Sequence, residues 1–287
     1  MTASEDGSLR VWVGRRSQQV MQFQVYDGNH CTALAVPQAQ DDRVLVAGYL
    51  DGTLKIFGLP EGDARLRCKP HKARIEQVLF GGNGDASVVV SATAFGEVAL
   101  TNRHNGLVTR RLFDHEGFAI DSLHVSPHHD GLLLASSSDG HVTVWSVAWE
   151  TSSVAVALDY QVGRDDGVAG VDEQGEDEQG PMPTLALFSP VDDNQILIAA
   201  PGSASGERRR PMVLFYDFVL RRTVRSLELN QPASTMAASP GGELLAVGTA
   251  DRLVKLIDFE EGTFQDFVGH IDRVSTVAFS PDVSRLA

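Results

Sequence analysis

The 287-residue chain predicts an all-β fold of about six repeats, each of four short strands, and three observations carry that prediction. A turn followed by a β-run ending in a large residue recurs at a near-constant period. A second, Ser-Pro-like turn recurs in step with it. No segment holds a helical period over about 11 residues.

The first marker appears as EDGSLRVW, LDGTLKIF, AFGEVALT and SDGHVTVW, ending at Trp12, Phe57, Thr101 and Trp145 in steps of 45, 44 and 44 residues. MVLFYD follows with Tyr216 in the same place, then ADRLVKLI with Ile257, at spacings of 71 and 41. The unit before Tyr216 therefore carries about 28 extra residues beyond the common period. The second marker closes the strand that opens each unit: LAVP at Pro37, HVSP at Pro127, LFSP at Pro190, AASP at Pro240 and AFSP at Pro281. In the remaining unit VLFGGNGD is expected to turn on glycine where the others use proline. Between the markers lie VMQFQV, RVLVAG, SVVVSA, LLLASS, ILIAA and LLAVG, apolar or alternating runs of strand length. A β-sandwich has no reason to repeat both turn types in step along the whole chain.

Composition narrows the function classes. Hydrophobic residues make up 43% and charged residues 22%, enough apolar side chains for a packed core. No apolar run approaches the roughly 18–20 residues of a membrane span, and MTASEDGSLRVW lacks the basic and apolar regions of a signal peptide. Two cysteines, Cys31 and Cys68, are too few for a disulfide framework and read as buried or half-buried thiols. The net charge of −14 disfavours nucleic acid and anionic lipid as partners. Residues 159–180 hold eight acidic residues and one arginine, half of that charge, and the Gly-rich part at 163–180 reads as a disordered insert.

The chain begins inside one unit (TASEDGSLRVW) and stops inside another (GHIDRVSTVAFSPDVSRLA). Five units are whole and a sixth is split between the ends, which reads as a segment cut from a longer array.

The repeat resembles the WD-repeat β-propeller. Several units, read in order, are more specific: TASEDGSLRVW, VAGYLDGTLKIF, DHEGFAIDSLHV and LLAVGTADRLVKLIDFEEGTFQDFVGH resemble the large multi-propeller WD-repeat proteins of the centriole and basal-body wall. That resemblance implies a non-enzymatic scaffold of the cytoskeleton, at the centriole wall and cilium base, with other scaffold proteins as partners. It implies microtubule contact through another part of the parent protein. The rival reading is a substrate receptor of a cullin-type ubiquitin ligase. Its Trp-Asp-x-Arg signature lacks the arginine at Tyr216-Asp217-Phe218-Val219 and Ile257-Asp258-Phe259-Glu260, while Trp12-Val13-Gly14-Arg15 keeps the arginine and loses the aspartate.

By the same resemblance, a His, a Ser or Thr, an Asp and a Trp lock each blade through hydrogen bonds. Thr2, Asp6 and Trp12 with His270 would make a full set if the ends meet. His115, Asp139 and Trp145 form a second set, with Ala135 where the hydroxyl belongs. His71 and Ser91 form a third, with Phe95 and Thr101 in the Asp and Trp positions. Asp51 and Asp251 read as lone remnants.

Other chemistry is weakly signalled. His124, His128, His129 and Asp130 cluster in sequence, His124 in a strand and the other three after the Pro127 turn, but their spacing matches no structural-zinc pattern and solvated turn residues are the plainer reading. G-x-S-x-G, G-x-x-x-x-G-K and H-E-x-x-H do not occur, and no catalytic group, metal or cofactor is expected. Arg208, Arg209 and Arg210 in GSASGERRRP are the candidate partner-binding group, able to fork onto carboxylates, with a solvated loop as the plainer reading.

Overall fold

The computed structural model describes all residues except 1, 4–7, 14–17, 25–28, 38–42, 60, 83–87, 163–183, 202–209, 281–282 and 287. The strands form six sheets, each a meander in chain order. The first has three strands, β1 (Thr2–Ala3), β2 (Ser8–Val13) and β3 (Gln18–Gln24). The second comprises β4 (Cys31–Ala35), β5 (Val44–Tyr49), β6 (Leu54–Gly58) and β7 (Ala64–Cys68). The third comprises β8 (Ile75–Gly81), β9 (Val88–Thr93), β10 (Val98–Asn102) and β11 (Val108–Leu112). The fourth comprises β12 (Ile120–Val125), β13 (Leu132–Ser137), β14 (His141–Ala148) and β15 (Ser153–Gln161). The fifth comprises β16 (Leu185–Phe188), β17 (Gln195–Ala200), β18 (Met212–Asp217) and β19 (Arg222–Glu228). The sixth comprises β20 (Ala233–Ala238), β21 (Leu244–Thr249), β22 (Val254–Asp258) and β23 (Phe264–Phe267).

The expected phase is the observed one. Phe57, Thr101, Trp145, Tyr216 and Ile257 all lie on the third strand of a four-stranded sheet, and Trp12 lies on β2. Pro37, Pro127, Pro190 and Pro240 each stand two residues past the first strand of their sheet, and Pro281 lies outside the described residues. The third–fourth ladder slips by one residue directly before the marker at Ile56/Phe57, Leu100/Thr101 and Phe215/Tyr216, as does β2–β3 at Val11/Trp12. A bulge at a fixed place adds local twist at a fixed place, so the repeat extends to backbone geometry.

Burial grades across each sheet. Second strands β5 and β9 are buried along their whole length, whereas β7, β19 and β23 are mostly or wholly exposed. A strand covered on both faces needs side chains apolar on both, which explains the continuous runs VLVAGY and VVVSAT.

The chain divides into two compact units: residues 1–123 with 146–155, and residues 124–145 with 156–287. In the first unit Leu9 packs with Cys31, Leu45, Tyr49 and Phe57, and a separate layer joins Val46, Ile56, Ile75 and Val89. Gly81 has a reason other than turn-making, because a Cβ there would lie 2.4 Å from the Trp149 ring. Glycine at the end of β8 makes room for an indole, while Gly82 directly after it takes the left-handed conformation at φ +77°. In the second unit one layer joins Leu134, Val144, Tyr160, Phe188, Ile198 and Tyr216, and the next joins Leu197, Phe215, Leu245, Val247 and Ile257.

Side chains also bond the second, third, fourth and sixth sheets to a later stretch of chain. Thr32 Oγ1 donates to Ile75 O at 2.5 Å, Gln77 Nε2 to Asp121 O at 2.6 Å, Ser136 Oγ to Thr184 O at 2.6 Å and Ser234 Oγ to Val274 O at 2.6 Å. The segment after β23 is held this way and by burial of Val274 and Val277 against Ala246 and Val254. Its other residues are mostly exposed, and among the described residues it has one bridge, Phe279 to Leu286, in place of a ladder.

The second-to-third-strand turns share one left-handed residue: Gly52, Gly96 and Gly140 at φ +84°, +79° and +86°, but Arg252 at +72° in the sixth sheet. Arginine in that region is strained by roughly 1–2 kcal/mol, offset in part because glycine loses more entropy on folding. Arg252→Gly is therefore expected to stabilise the chain by about 0.5–1 kcal/mol, read as a higher thermal midpoint.

Candidate functional site

The most ordered polar constellation belongs to the third sheet. His71 lies in the connection between β7 and β8, Ser91 on β9, Glu97 just before β10 and Arg111 on β11. His71 Nε2 lies 2.8 Å from Ser91 Oγ, His71 Nδ1 lies 2.9 Å from Glu97 Oε2, and Arg111 Nη1 pairs with the other Glu97 oxygen. An ionised carboxylate only accepts, so Nδ1 carries the proton and Nε2 accepts from the Ser91 hydroxyl.

Burial decides what this Ser–His–Glu order can do. Its distances would suit a hydrolytic triad, but the His71 side chain is 0% exposed and Ser91 is 0% exposed, so no substrate reaches the hydroxyl. Burial is also the main reason the His71 pKa sits below its ordinary value, the Glu97 contacts opposing it. For Glu97 burial alone would raise the pKa, yet the His71 hydrogen bond and charge and the Arg111 contact together hold it low. With His71 neutral near pH 7, Arg111 is the charge that compensates Glu97.

The sequence pattern points to His71 and Ser91 but not to Glu97 or Arg111. Phe95 fills the expected aspartate position, and the carboxylate stands two residues later, at the end of the same turn. Thr101, in the tryptophan position, has a buried hydroxyl with no hydrogen-bond partner among the described residues. Thr101→Val removes that hydroxyl at nearly constant volume, so it should stabilise the chain by about 1 kcal/mol. Melting curves check this, expecting a rise of roughly 2–4 °C.

The predicted aspartates act within their own turns. Asp139 Oδ1 accepts from Ser137 Oγ at 2.6 Å and from His141 N at 3.2 Å. Asp251 accepts from Thr249 Oγ1. Asp51 accepts from Thr53 N and Thr53 Oγ1, at 3.0 and 2.8 Å, and from Asn29 Nδ2 at 2.6 Å, so it is no lone remnant. His115 and Trp145 are each 1% exposed, and His270 is exposed. Asp6 and the side chains of Thr2 and Trp12 lie outside the described residues. So do Arg208, Arg209 and the acidic insert, while exposed Arg210 pairs with Glu228 at 2.8 Å.

The histidines of the fourth sheet part company. His124 Nδ1 accepts from Phe188 N at 3.1 Å, a role only a neutral ring can take. The residue keeps some exposed surface, yet its ring is packed against Phe188, and burial pushes its pKa down to about 4. His128 and His129 approach Asp193 at 3.4 and 3.7 Å, and both backbone amides donate to Ser126 Oγ. Among the described residues no group of three or more His, Cys, Asp or Glu could hold a metal ion. Burial pushes the Cys31 thiol up to about 11 and raises that of Cys68, so both are protonated near neutral pH. A cavity of about 160 Å³ is lined by Leu227, Leu229, Ile257, Phe264 and Lys255, and the Lys255 ammonium is held by Asp266 at 2.7 Å. That volume suits one side chain rather than a substrate-sized molecule.

Residues 1–287 match, over the whole chain, the family described as WDR90, 4th beta-propeller. The chain belongs to the WDR90 family. Its six sheets are thereby blades of a WD-repeat β-propeller segment, as their repeated turns and markers led us to expect. WD repeat-containing protein 90 of Homo sapiens is 31% identical over 297 residues, covering 99% of this chain and 16% of that protein. Its counterpart in Xenopus tropicalis is 29% identical over 294 residues, covering 98% of this chain and 15% of that protein. The chain thus spans 15–16% of the length of the WDR90 relatives it matches.

Proposed function

We propose that this chain is a non-enzymatic scaffold and protein-interaction propeller of a centriolar microtubule-wall protein, supporting centriole integrity and cilium assembly. The chain-long match to the fourth WDR90 propeller carries the reading. The burial of the Ser91–His71–Glu97 set supports it, because this triad-like arrangement locks a blade instead of facing a substrate. The partners are other centriolar scaffold proteins, and the parent protein resides in the cytoskeleton at the centriole, basal body and cilium base. The net charge of −14 fits poorly with direct contact to acidic tubulin, so microtubules are held through another part of the parent.

The test is super-resolution localisation in a ciliated cell, with the parent and this segment tagged separately. Decoration of the centriole wall by the parent is the expected result. A diffuse or nuclear parent would overturn the reading and leave only the propeller.

A further inference from the structure

In WD repeats the turn between the second and third strands supplies the locking aspartate. In the third sheet that position is Phe95, and Glu97 carries the lock instead. Released from structural duty, Phe95 is 64% exposed. Phe113 and Phe118, on the connection from β11 to β12, are 52% and 46% exposed. The three belong to one edge: Gly117 N donates to Phe95 O at 3.0 Å, and Gly96 lies against the carbonyls of His115 and Phe118. Glu116 stands exposed between Phe113 and Phe118 and makes no ion pair among the described residues. Asp114 is exposed beside it.

Aromatic faces next to carboxylates recognise cations, since the ring attracts a guanidinium or ammonium while the carboxylate accepts its N–H groups. We propose that Phe95, Phe113, Phe118 and Glu116 form a docking edge for a partner-protein segment carrying arginine or lysine between aliphatic side chains. The rings supply apolar contact area, and Glu116 turns away acidic segments. This rests on the interaction-propeller reading and names the class of partner that one blade edge takes.

The test uses the 287-residue chain and two short fluorescein-labelled peptides, one alternating leucine with arginine and one alternating leucine with glutamate. Anisotropy titration should give saturable binding of the arginine peptide alone. Phe95→Ala and Phe118→Ala should each weaken it about tenfold. Neither changes the charge, so attraction to an acidic protein in general would survive them. Glu116→Lys should weaken binding further. All three side chains are exposed, and an unchanged thermal midpoint would show that each variant is folded. Equal binding of the glutamate peptide, or arginine-peptide binding indifferent to Phe95→Ala and Phe118→Ala, would overturn the proposal. So would a dimer in sedimentation that Phe95→Asp dissociates, since the edge would then belong to a second copy. Localisation in cells can fail while this binding stands, and the reverse, so the two readings are separable.

Discussion

Gly96→Ala should destabilise the chain by about 3 kcal/mol or more, lowering the thermal midpoint by roughly 6–12 °C. Two effects add at this position. The backbone sits at φ +79°, where a side chain is strained, and a Cβ would fall 1.7 Å from the His115 carbonyl oxygen. The obstacle is backbone on both sides, so no rotamer change relieves it, and the chain between β11 and β12 would have to move. Gly117→Ala separates the two effects, since Gly117 lies at φ +96° with nothing within 4 Å of a Cβ. That variant should lose only about 1–2 kcal/mol, the conformational part. Equal losses at the two positions would mean that the turn does not approach His115 as described.

His71→Ala is the second large effect, expected at about 2–4 kcal/mol. It leaves the Ser91 hydroxyl and one Glu97 oxygen without their partner and opens a void beneath the turn. Ser91→Ala alone should be milder. The double variant should fall short of the sum, because the two residues share one bond. The network also sets a pH dependence. The folded His71 pKa lies below the ordinary 6.5, mainly through burial. Between the two values the unfolded chain binds a proton that the folded chain does not, so stability falls as pH drops through that window. His124, pushed down to about 4, has the same sign between 6.5 and 4. Glu97, held low, contributes stability above the ordinary carboxylate range and loses it only as pH falls through its folded value. Thermal midpoints taken from about pH 8 down to 5 should decline, and His71→Gln should flatten the decline. A midpoint that rose on acidification would contradict the buried, neutral His71.

The repeat was legible because it is written in residues with few alternatives: Asp-Gly turns, Pro after a first strand, a large residue closing the third. The second strands were legible because burial on two faces demands unbroken apolar runs. The lock was half legible. His71 and Ser91 stand at their expected offsets, but Phe95 hid the network, since its carboxylate had moved by one side-chain period along the turn and strand. Arg111 reaches Glu97 across the β10–β11 ladder, whose slip after Leu100 leaves no trace in composition. The role of Gly81 was invisible for a similar reason, since Trp149 lies far away in sequence.

The side-chain bonds from Thr32, Gln77, Ser136 and Ser234 share a direction: the donor belongs to the earlier sheet and the acceptor carbonyl to the later segment. During synthesis the donor of each of these four bonds therefore leaves the ribosome first. Thr32 shows how it can wait, since its hydroxyl also reaches Gly48 O within its own sheet, at 3.2 Å. Nascent chains stalled just before and just after β8 should differ in amide protection across β4 and β5. On that account the blades that carry these donors are finished by chain that emerges later, and the order of translation is built into the order of assembly.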